Sequence, residues 1–426
     1  MLILTDAKNN NNKFYEVILN DDDSIKTRYG RVGAAGVSGS SFGGLYEYES
    51  IIRAKKRKGY VETQTLQTTV DSYSMDKDKL AETAKRDILN NNTSDVLIKL
   101  VDRLTKMNRH QIIEQSNGNI QIDDDGLIKT PLGLVTHDTV KNARNLLNQM
   151  SPFIDKKSFE DDSYIHNLEE YLKLIPQKVP SKRGWYNIFF TTHSSVNAQY
   201  SFLDQLDGSL DLYNDKKNEA SKTKKTTNAT ILDSAPVFNT KLELLNDEQV
   251  FQDIKRFYEK TLSRNHVSSH LRLKNVYVIS NDEWSKRFLE KSNTISNHQR
   301  LWHGSRLFNI LSILKSGLII PKSTGTYQVN GRMFGDGLYF SDQSSKSLNY
   351  SYGYWDGHAR DNNCFMFLAD VALGKQYIPK RSEYHIPKGY DSMFAKAGVS
   401  GVLNNEMIVY DIHQANLKYL CEFDLV

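Results

Sequence analysis

The spacing of apolar residues changes twice along this chain of 426 residues, and the changes divide it into three segments. Residues 12–75 show short strand-like runs, residues 80–177 repeat apolar residues every three or four positions, and residues from about 231 mix both patterns. A chain of this length exceeds one ordinary core, so two or three domains are expected. The predicted fold class is multidomain α+β: a small β-rich N-terminal domain, an all-α helical bundle and a C-terminal mixed or antiparallel β domain.

The N-terminal segment carries two strand signals and one helix signal. Phe14–Leu19 predicts a first strand, and Arg28–Gly33 starts a second one. The glycine-rich residues 33–44 indicate a loop, and a helix is predicted over Tyr46–Lys58. Residues 59–80 are polar and β-branched and end in a predicted linker.

The middle segment contains three apolar sets at helical spacing. The first runs from Val96 to Leu104, and the second runs from Val140 to Met150 with Asp138 as its candidate N-cap. The third spans Tyr164–Ile175 and stops at Pro176. Three or four helices of this size predict a bundle.

The C-terminal segment predicts one long helix and several short strands. Residues 214–230, which precede it, are poor in hydrophobic residues and indicate a mobile loop or a domain junction. The helix is expected over Asp247–Leu262. Alternating apolar residues predict that the last strand is half-buried. The predicted strands are Val276–Ile279, Leu338–Phe340, Cys364–Leu373, Met407–Ile412 and Leu417–Leu425.

Composition argues against several classes of protein. With 39% hydrophobic and 25% charged residues the chain is typical of globular proteins, and no run of about 18 apolar residues predicts a membrane span. The start MLILTDAKNNNNKF lacks the features of a secretory signal. Cys364 and Cys421 are the two cysteines, so neither a disulfide framework nor a metal site is predicted, and a reducing compartment fits.

The net charge of +4 is too small to indicate a nucleic-acid binder by itself. Two short basic runs stand out, Ala54–Lys58 and Lys222–Lys225. An isolated run of this kind is more often a solvated helix end or loop.

Three stretches in the C-terminal half concentrate residues that can do chemistry: Leu301–Arg306, Met333–Asp342 with Ser344–Tyr350, and Asn404–Ile412. Each alone has a structural explanation. A lone histidine is usually structural, paired glycines mark a tight turn, and a glutamate before a strand is usually solvated. The chain has no Gly-x-Gly-x-x-Gly after a strand and no Walker-type Gly-Lys-Ser/Thr, which disfavours standard dinucleotide and P-loop folds.

Taken together, these stretches resemble the His–Tyr–Glu signature of poly(ADP-ribose) polymerases and related ADP-ribosyltransferases. The resemblance covers roughly residues 231–426, and a chance match to all five motifs is very improbable. The motifs, in the family's order, are LWHGSR, MFGDGLYFSD, SKSLNY, VALGK and NEMIVYDIHQANLKYL.

The rest of the chain resembles the same family. Residues 130–134, TPLGL, and 171–176, YLKLIP, look like landmarks of its helical regulatory domain. Residues 29–33, YGRVG, with KGY at 58–60, look like a Trp-Gly-Arg (WGR) domain whose Trp is replaced by Tyr. This order resembles the short, DNA-dependent polymerases. The resemblance implies a WGR-like DNA-binding domain over 1–75, a helical regulatory domain over 80–213 and an ADP-ribosyltransferase catalytic domain over 231–426.

The resemblance implies transfer of ADP-ribose from NAD+, a substrate, with release of nicotinamide and without a metal. Glu406 would stabilise positive charge on the ribose, accept a hydrogen bond from its 2′-hydroxyl and help activate the acceptor. His303 would donate to a hydroxyl of the adenine-side ribose. Tyr339 and Tyr350 would sandwich the nicotinamide ring.

Four further residues complete the implied NAD+ site. Ser305 would add a polar contact beside His303. The backbone of Gly304 and the hydroxyl of Ser347 would hold the nicotinamide carboxamide. Lys346 would support Glu406 or a ribose hydroxyl, although a plain surface lysine is an equally good interpretation.

The resemblance also implies partners. DNA with breaks would bind through Tyr29, Arg31 and the basic run Lys55, Lys56, Arg57 and Lys58, and would loosen the helical domain that restrains NAD+ access. Tyr in place of Trp still offers an aromatic face for stacking. Protein acceptors would include the chain itself, and no membrane partner is expected. The family implies a nuclear location in a eukaryote and an intracellular one otherwise.

Two alternatives remain: a mono-ADP-ribosyltransferase acting on protein or nucleic-acid ends, and a catalytically silent DNA-binding scaffold. Glu406 favours polymer elongation, because family members that add single units often lack it. Two departures bear on the product: the short segment between Val371–Leu373 and Glu406, and Arg332 in the donor loop 321–334.

Overall fold

In the computed structural model the chain forms two compact units. One contains the described residues between Met1 and Asp76 and between Arg109 and Leu210; the other contains those of 77–108, 211–323 and 328–426. No described helix is both long and apolar enough to cross a membrane. The structure describes residues 1–62, 79–115, 121–122, 128–130, 133–192, 195–196, 198–200, 202–203, 206–207, 210, 236–320, 333–354, 360 and 362–425.

The first unit begins with a five-stranded antiparallel sheet in the order β4-β3-β2-β1-β5. Its elements are β1 (Leu2–Asp6), β2 (Asn11–Leu19), β3 (Ser24–Arg31), β4 (Val37–Phe42), α1 (Gly44–Arg57) and β5 (Val61–Glu62). Ile51 and Ile52 of α1 pack on Leu2, Val17 and Ile25, which forms a small core on one face of the sheet. The first predicted strand and the predicted helix of this segment are confirmed. The second strand exists, but it begins at Ser24 and ends at Arg31, so the predicted stretch Arg28–Gly33 covers its end and not its start.

The prediction that residues 33–44 form a loop is wrong for half of that segment. Val37–Phe42 is the edge strand β4, paired with β3 from Tyr29↔Val37 to Ser24↔Phe42. The strand was missed because its residues are mostly serine and glycine, which carry no apolar alternation. Backbone hydrogen bonds to β3 hold it instead. The predicted linker at the end of 59–80 lies outside the described residues.

The first unit also contains helices from the middle segment. They are α4 (His137–Asp155) and α5 (Asp162–Leu174), and three short strands form a small antiparallel sheet: β6 (Gln121–Ile122), β7 (Ile128–Thr130) and β8 (Gly133–Leu134). The predicted N-cap of α4 is wrong. Thr136 is the cap, because its hydroxyl accepts from the Thr139 N–H while the Thr139 hydroxyl accepts from the Thr136 N–H. Asp138 lies in the first turn, where its charge favours the helix N-terminus.

The second unit contains two sheets, a five-stranded one in the order β11-β13-β17-β10-β9 and a four-stranded one in the order β12-β16-β15-β14. Trp302 of β11 exchanges two backbone hydrogen bonds of 3.0 Å with Ser341, which joins the sheets. The strands are β9 (Lys241–Leu244), β10 (Arg272–Ser280), β11 (His298–Gly304), β12 (Leu338–Phe340), β13 (Cys364–Ala372), β14 (Gln376–Tyr377), β15 (Ser392–Ala395), β16 (Glu406–Val409) and β17 (Ala415–Asp424).

Six described helices belong wholly or partly to this unit: α2 (Lys79–Leu89), α3 (Asp95–Gln115), α6 (Glu248–Lys260), α7 (Asp282–Ser292), α8 (Leu307–Ser316) and α9 (Ser344–Tyr352). Asp247 caps α6 by accepting from two backbone N–H groups. Leu97, Leu100 and Leu104 of α3 lie in the same core as Phe365 and Phe367 of β13. The segment 80–213, predicted as one helical domain, thus contributes to both units; the proposed domain limits stay predictions. Residues 214–230 lie outside the described residues.

The last strand is more buried than its alternation predicts. β17 lies between β13 and β10, and one core covers each face of the sheet. Leu420 faces the first core, and Cys421 and Phe423 face the second. Glu422 between them is buried as well, and its carboxylate accepts from the Tyr277 hydroxyl at 2.7 Å. A central position in the sheet, which local spacing does not reveal, overrides the half-buried pattern.

Candidate active site

His303 lies near the end of β11, opposite Phe367 of β13, and its ring contacts Phe340 of β12. Its Nδ1 lies 2.9 Å from the backbone carbonyl of Tyr339. A carbonyl can only accept, so Nδ1 carries the proton. Burial lowers the pKa of His303 below its ordinary value, which favours the neutral ring. The neutral ring presents Nε2 as an acceptor; the donor role implied by the family resemblance would need the charged ring.

We predict that His303 titrates with a pKa below its ordinary value of 6.5. The pKa of His303 is lower in the folded chain than in the unfolded chain. As the pH falls from 6.5 toward the folded-state pKa, the unfolded chain therefore binds a proton that the folded chain does not. The free energy of unfolding consequently decreases over that pH window. Imidazole resonances followed by NMR should show a midpoint below 6.5. A His303 midpoint at or above 6.5 would contradict this assignment.

Gly304 follows His303 at a point where two backbone segments lie very close together. A Cβ at Gly304 would lie 1.8 Å from the carbonyl oxygen of Ser347 in α9, so only glycine fits. The Ser347 hydroxyl donates to the carbonyl of Trp302 at 3.0 Å. The Ser305 N–H donates to the Ser351 hydroxyl at 3.2 Å. These contacts fix α9 against the His303 strand.

Tyr339 lies in β12, where its hydroxyl is bonded to the turn that precedes the strand. It accepts from the Phe334 N–H at 3.1 Å and donates to the Gly335 carbonyl at 2.8 Å. Tyr350 of α9 exposes 41% of its surface, while burial of its hydroxyl and the nearby Glu406 carboxylate raise its pKa. Tyr350 is therefore a partly exposed ring on a fixed helix.

Lys346 and Glu406 form a buried ion pair. Lys346 Nζ lies 2.5 Å from Glu406 Oε1, and the two side chains are 9% and 15% exposed. Burial lowers the pKa of Lys346, while Glu406 acts in the opposite direction. Of the two interpretations of Lys346, support of Glu406 matches this contact and a plain surface lysine does not.

Sequence reasoning missed a small polar network beside this pair. His266 Nδ1 lies 2.8 Å from the hydroxyl of Ser345, the residue before Lys346. The His266 side chain also bonds Asn404, two residues before Glu406, and burial lowers its pKa. The network thus ties the helix of Lys346 to the strand of Glu406. Its members are about 60 to 140 positions apart in the chain, so no local motif identifies them.

The contacts connect five of the predicted site residues into one cluster. His303 bonds the backbone of Tyr339, β12 pairs with β16 next to Glu406, and Glu406 pairs with Lys346. Ser347 joins the cluster through Trp302.

A cavity of about 710 Å³ lies elsewhere on this unit, between α6, α7 and the five-stranded sheet. No residue of the cluster lines that cavity. The candidate site is therefore identified by the contacts among its side chains and not by the cavity. No group of three metal-binding side chains occurs among the described residues.

The predicted DNA-contacting residues lie in the first unit, where Tyr29 and Lys55 share an aromatic cluster. The Tyr29 ring stacks on Tyr15 with centroids 5.3 Å apart and is 43% exposed. Lys55 Nζ lies 3.6 Å from the Tyr15 ring centroid and within 6 Å of the rings of Tyr29 and Tyr60. Burial, with the charge of Lys58, lowers the pKa of Lys55. Lys55 is thus engaged with tyrosines of its own domain.

Arg31 is also engaged internally. Its guanidinium donates to the Asn10 backbone and side chain at 3.0 and 2.9 Å and to the Pro180 carbonyl at 2.9 Å. Lys56 pairs with Glu62. Arg57 and Lys58 are exposed at the end of α1. Sequence could not separate these environments, because a run of cations does not reveal which side chains meet partners distant in the chain.

The second unit contains an ADP-ribosyltransferase domain, because residues 248–396 match the poly(ADP-ribose) polymerase catalytic domain. Residues 1–67 match the WGR domain.

Relatives match from three quarters to nearly all of the chain at low identity. Poly [ADP-ribose] polymerase 2 of Zea mays is 24% identical over 98% of this chain and 68% of its own length. Poly [ADP-ribose] polymerase of Drosophila melanogaster is 26% identical over 99% of this chain and 45% of its own length. Poly [ADP-ribose] polymerase 1 of Gallus gallus is 27% identical over 76% of this chain. The chain thus spans from about half to two thirds of the length of the first two relatives.

Proposed function

We propose that this chain is a DNA-break-activated poly(ADP-ribose) polymerase that transfers ADP-ribose from NAD+ to proteins, including itself, in the nuclear response to DNA damage. The observation that carries the proposal is the buried Lys346–Glu406 pair in contact with the elements that hold His303 and Tyr339. A buried carboxylate with one lysine partner at 2.5 Å keeps a second oxygen for a substrate hydroxyl.

The residues present suit both ends of NAD+. Neutral His303 offers Nε2 as an acceptor for a ribose hydroxyl, and Ser305 lies next to it in sequence. Gly304, which has no room for a side chain, leaves its backbone groups to the carboxamide together with the Ser347 hydroxyl. The rings of Tyr339 and Tyr350 would enclose the nicotinamide, which adds about 0.5–1.5 kcal/mol beyond area burial.

Bond breakage requires stabilisation of a positive sugar. As nicotinamide leaves, the ribose C1′ gains oxocarbenium character, as in glycoside cleavage. Glu406 would accept from the 2′-hydroxyl and stabilise the charge. The same carboxylate would help remove the proton of the incoming acceptor hydroxyl. Lys346 would hold Glu406 in the orientation that both steps need.

The DNA part of the proposal is supported by the exposed, stacked ring of Tyr29. We predict that Tyr29→Ala weakens binding to a nicked duplex about tenfold at fixed salt, because one aromatic stack is worth about 1–3 kcal/mol. Fluorescence anisotropy with a labelled duplex measures the loss. Tyr46→Ala is the matched control, since Tyr46 is 79% exposed and lies outside the tyrosine cluster. Equal affinities of both variants would remove Tyr29 from the interface.

Labelled NAD+, with and without nicked DNA, tests the proposed activity. The proposal predicts that DNA increases nicotinamide release and that automodified protein runs as a ladder. A single shifted band would replace polymerase by mono-ADP-ribosyltransferase. Absence of any NAD+ turnover with broken DNA would favour the silent scaffold.

A further inference from the structure

Phe334, in the turn before β12, has an unusual backbone environment. Its side chain is fully buried, and both polar groups of its backbone meet tyrosine hydroxyls. The N–H donates to Tyr339 at 3.1 Å, and the carbonyl accepts from Tyr410 at 2.6 Å. Gly335 continues the arrangement, because its carbonyl accepts from the Tyr339 hydroxyl at 2.8 Å.

The two tyrosines approach this turn from neighbouring strands. Tyr339 belongs to β12, opposite Ile408 of β16, and Tyr410 is the residue after β16. Both rings pack on a small core of Phe334, Met393 and Ile408. Burial raises the pKa of Tyr410, so its hydroxyl keeps the proton that it donates. The position of the turn is thus determined from two sides.

We infer that Tyr410 is a positioning residue for nicotinamide binding, which acts by fixing the Phe334 backbone that in turn holds the hydroxyl of Tyr339. This inference rests on the proposed role of Tyr339 as the ring that stacks on nicotinamide. A stacking ring contributes more to binding when its plane is fixed before the ligand arrives, because less conformational freedom is then lost on binding. Tyr410 does not need to touch the substrate for this effect.

The inference predicts a specific kinetic change. Tyr410→Phe removes one hydroxyl and should raise the KM for NAD+ about five- to tenfold, with kcat changed less than about twofold, because binding rather than chemistry is affected. The Kd for nicotinamide itself, measured by calorimetry, should rise by the same factor. Tyr339→Phe should raise the KM for NAD+ and the Kd for nicotinamide by a similar factor. The KM of the double variant should not exceed that of the single variant with the larger KM. The two effects are not additive, because both hydroxyls act through one turn.

Tyr377→Phe is the matched control. The Tyr377 hydroxyl bonds Glu383, and its ring packs on the same small core, so the variant removes a similar group without touching the turn. Its KM should stay at the wild-type value. Equal KM values for the Tyr410 and Tyr377 variants, or a loss confined to kcat, would overturn the inference.

Hydrogen exchange separates this inference from the proposed function. Amides in a peptide covering residues 333–338 should exchange faster in Tyr410→Phe than in Tyr377→Phe, whether or not the chain turns over NAD+. Unchanged exchange in the Tyr410 variant would overturn the inference by itself. Absence of NAD+ turnover in the wild type, with the exchange difference present, would instead count against the proposed function.

Discussion

Glu406→Gln should lower the rate of nicotinamide release from NAD+ about 100- to 1000-fold, the usual effect of removing one preorganised electrostatic group. The amide keeps the shape of the carboxylate and an oxygen for Lys346 but loses the negative charge beside the ribose. The KM for NAD+ should change little, since the charge matters mainly as the bond breaks. Initial rates with saturating NAD+ and broken DNA measure the effect. Full activity in this variant would exclude Glu406 as the catalytic carboxylate.

A second variant separates chemistry from stability. In Glu406→Gln the buried Lys346 loses its anionic partner, and breaking a buried pair costs about 3–5 kcal/mol. The double variant Lys346→Met with Glu406→Gln removes both charges and should recover most of the lost free energy of unfolding. Its rate should stay as low as that of Glu406→Gln. Recovery of activity together with stability would show that the single variant failed by unfolding.

Gly335→Ala should destabilise the protein by about 3 kcal/mol or more. Gly335 has a φ of +82°, and a Cβ there would lie 2.1 Å from the carbonyl oxygen of Tyr384. The cost combines left-handed backbone strain with a clash against backbone that cannot rotate away. Urea denaturation followed by tryptophan fluorescence measures the change. Activity should fall too, because the Gly335 carbonyl accepts from the Tyr339 hydroxyl.

Gly389→Ala is the control for backbone strain. Gly389 has a similar φ of +90°, but a Cβ there meets no atom within 4 Å. Its substitution should therefore cost only about 1–2 kcal/mol. Equal losses in the two alanine variants would mean that the contact with Tyr384 is unimportant.

Elements with a strong local period were predictable from sequence. The helices near Val140–Met150 and Tyr164–Ile175 follow from three- and four-residue spacing, and the structure places α4 and α5 there. The resemblance of the site motifs to the His–Tyr–Glu signature implied that His303, Tyr339 and Glu406 would share one site. The structure connects them through the β12–β16 pairing and the Tyr339 carbonyl.

What remained hidden depends on contacts between distant residues. Strand β4 forms because its backbone pairs with β3. Strand β17 is buried because it lies in the centre of its sheet. Lys55 and Arg31 were predicted to contact DNA. In the structure Lys55 lies over the ring of Tyr15, and Arg31 donates hydrogen bonds to the carbonyls of Asn10 and Pro180. Charge type is readable in a sequence, whereas the partner of each charge is set by tertiary packing.

A crystal structure of the chain with a non-hydrolysable NAD+ analogue tests the central claim most directly. The account predicts that the ribose next to nicotinamide lies within hydrogen-bond distance of Glu406, with the pyridine ring between Tyr339 and Tyr350 and the other ribose at His303. A dinucleotide bound away from Glu406, or with its adenosine end at Tyr339, would contradict it.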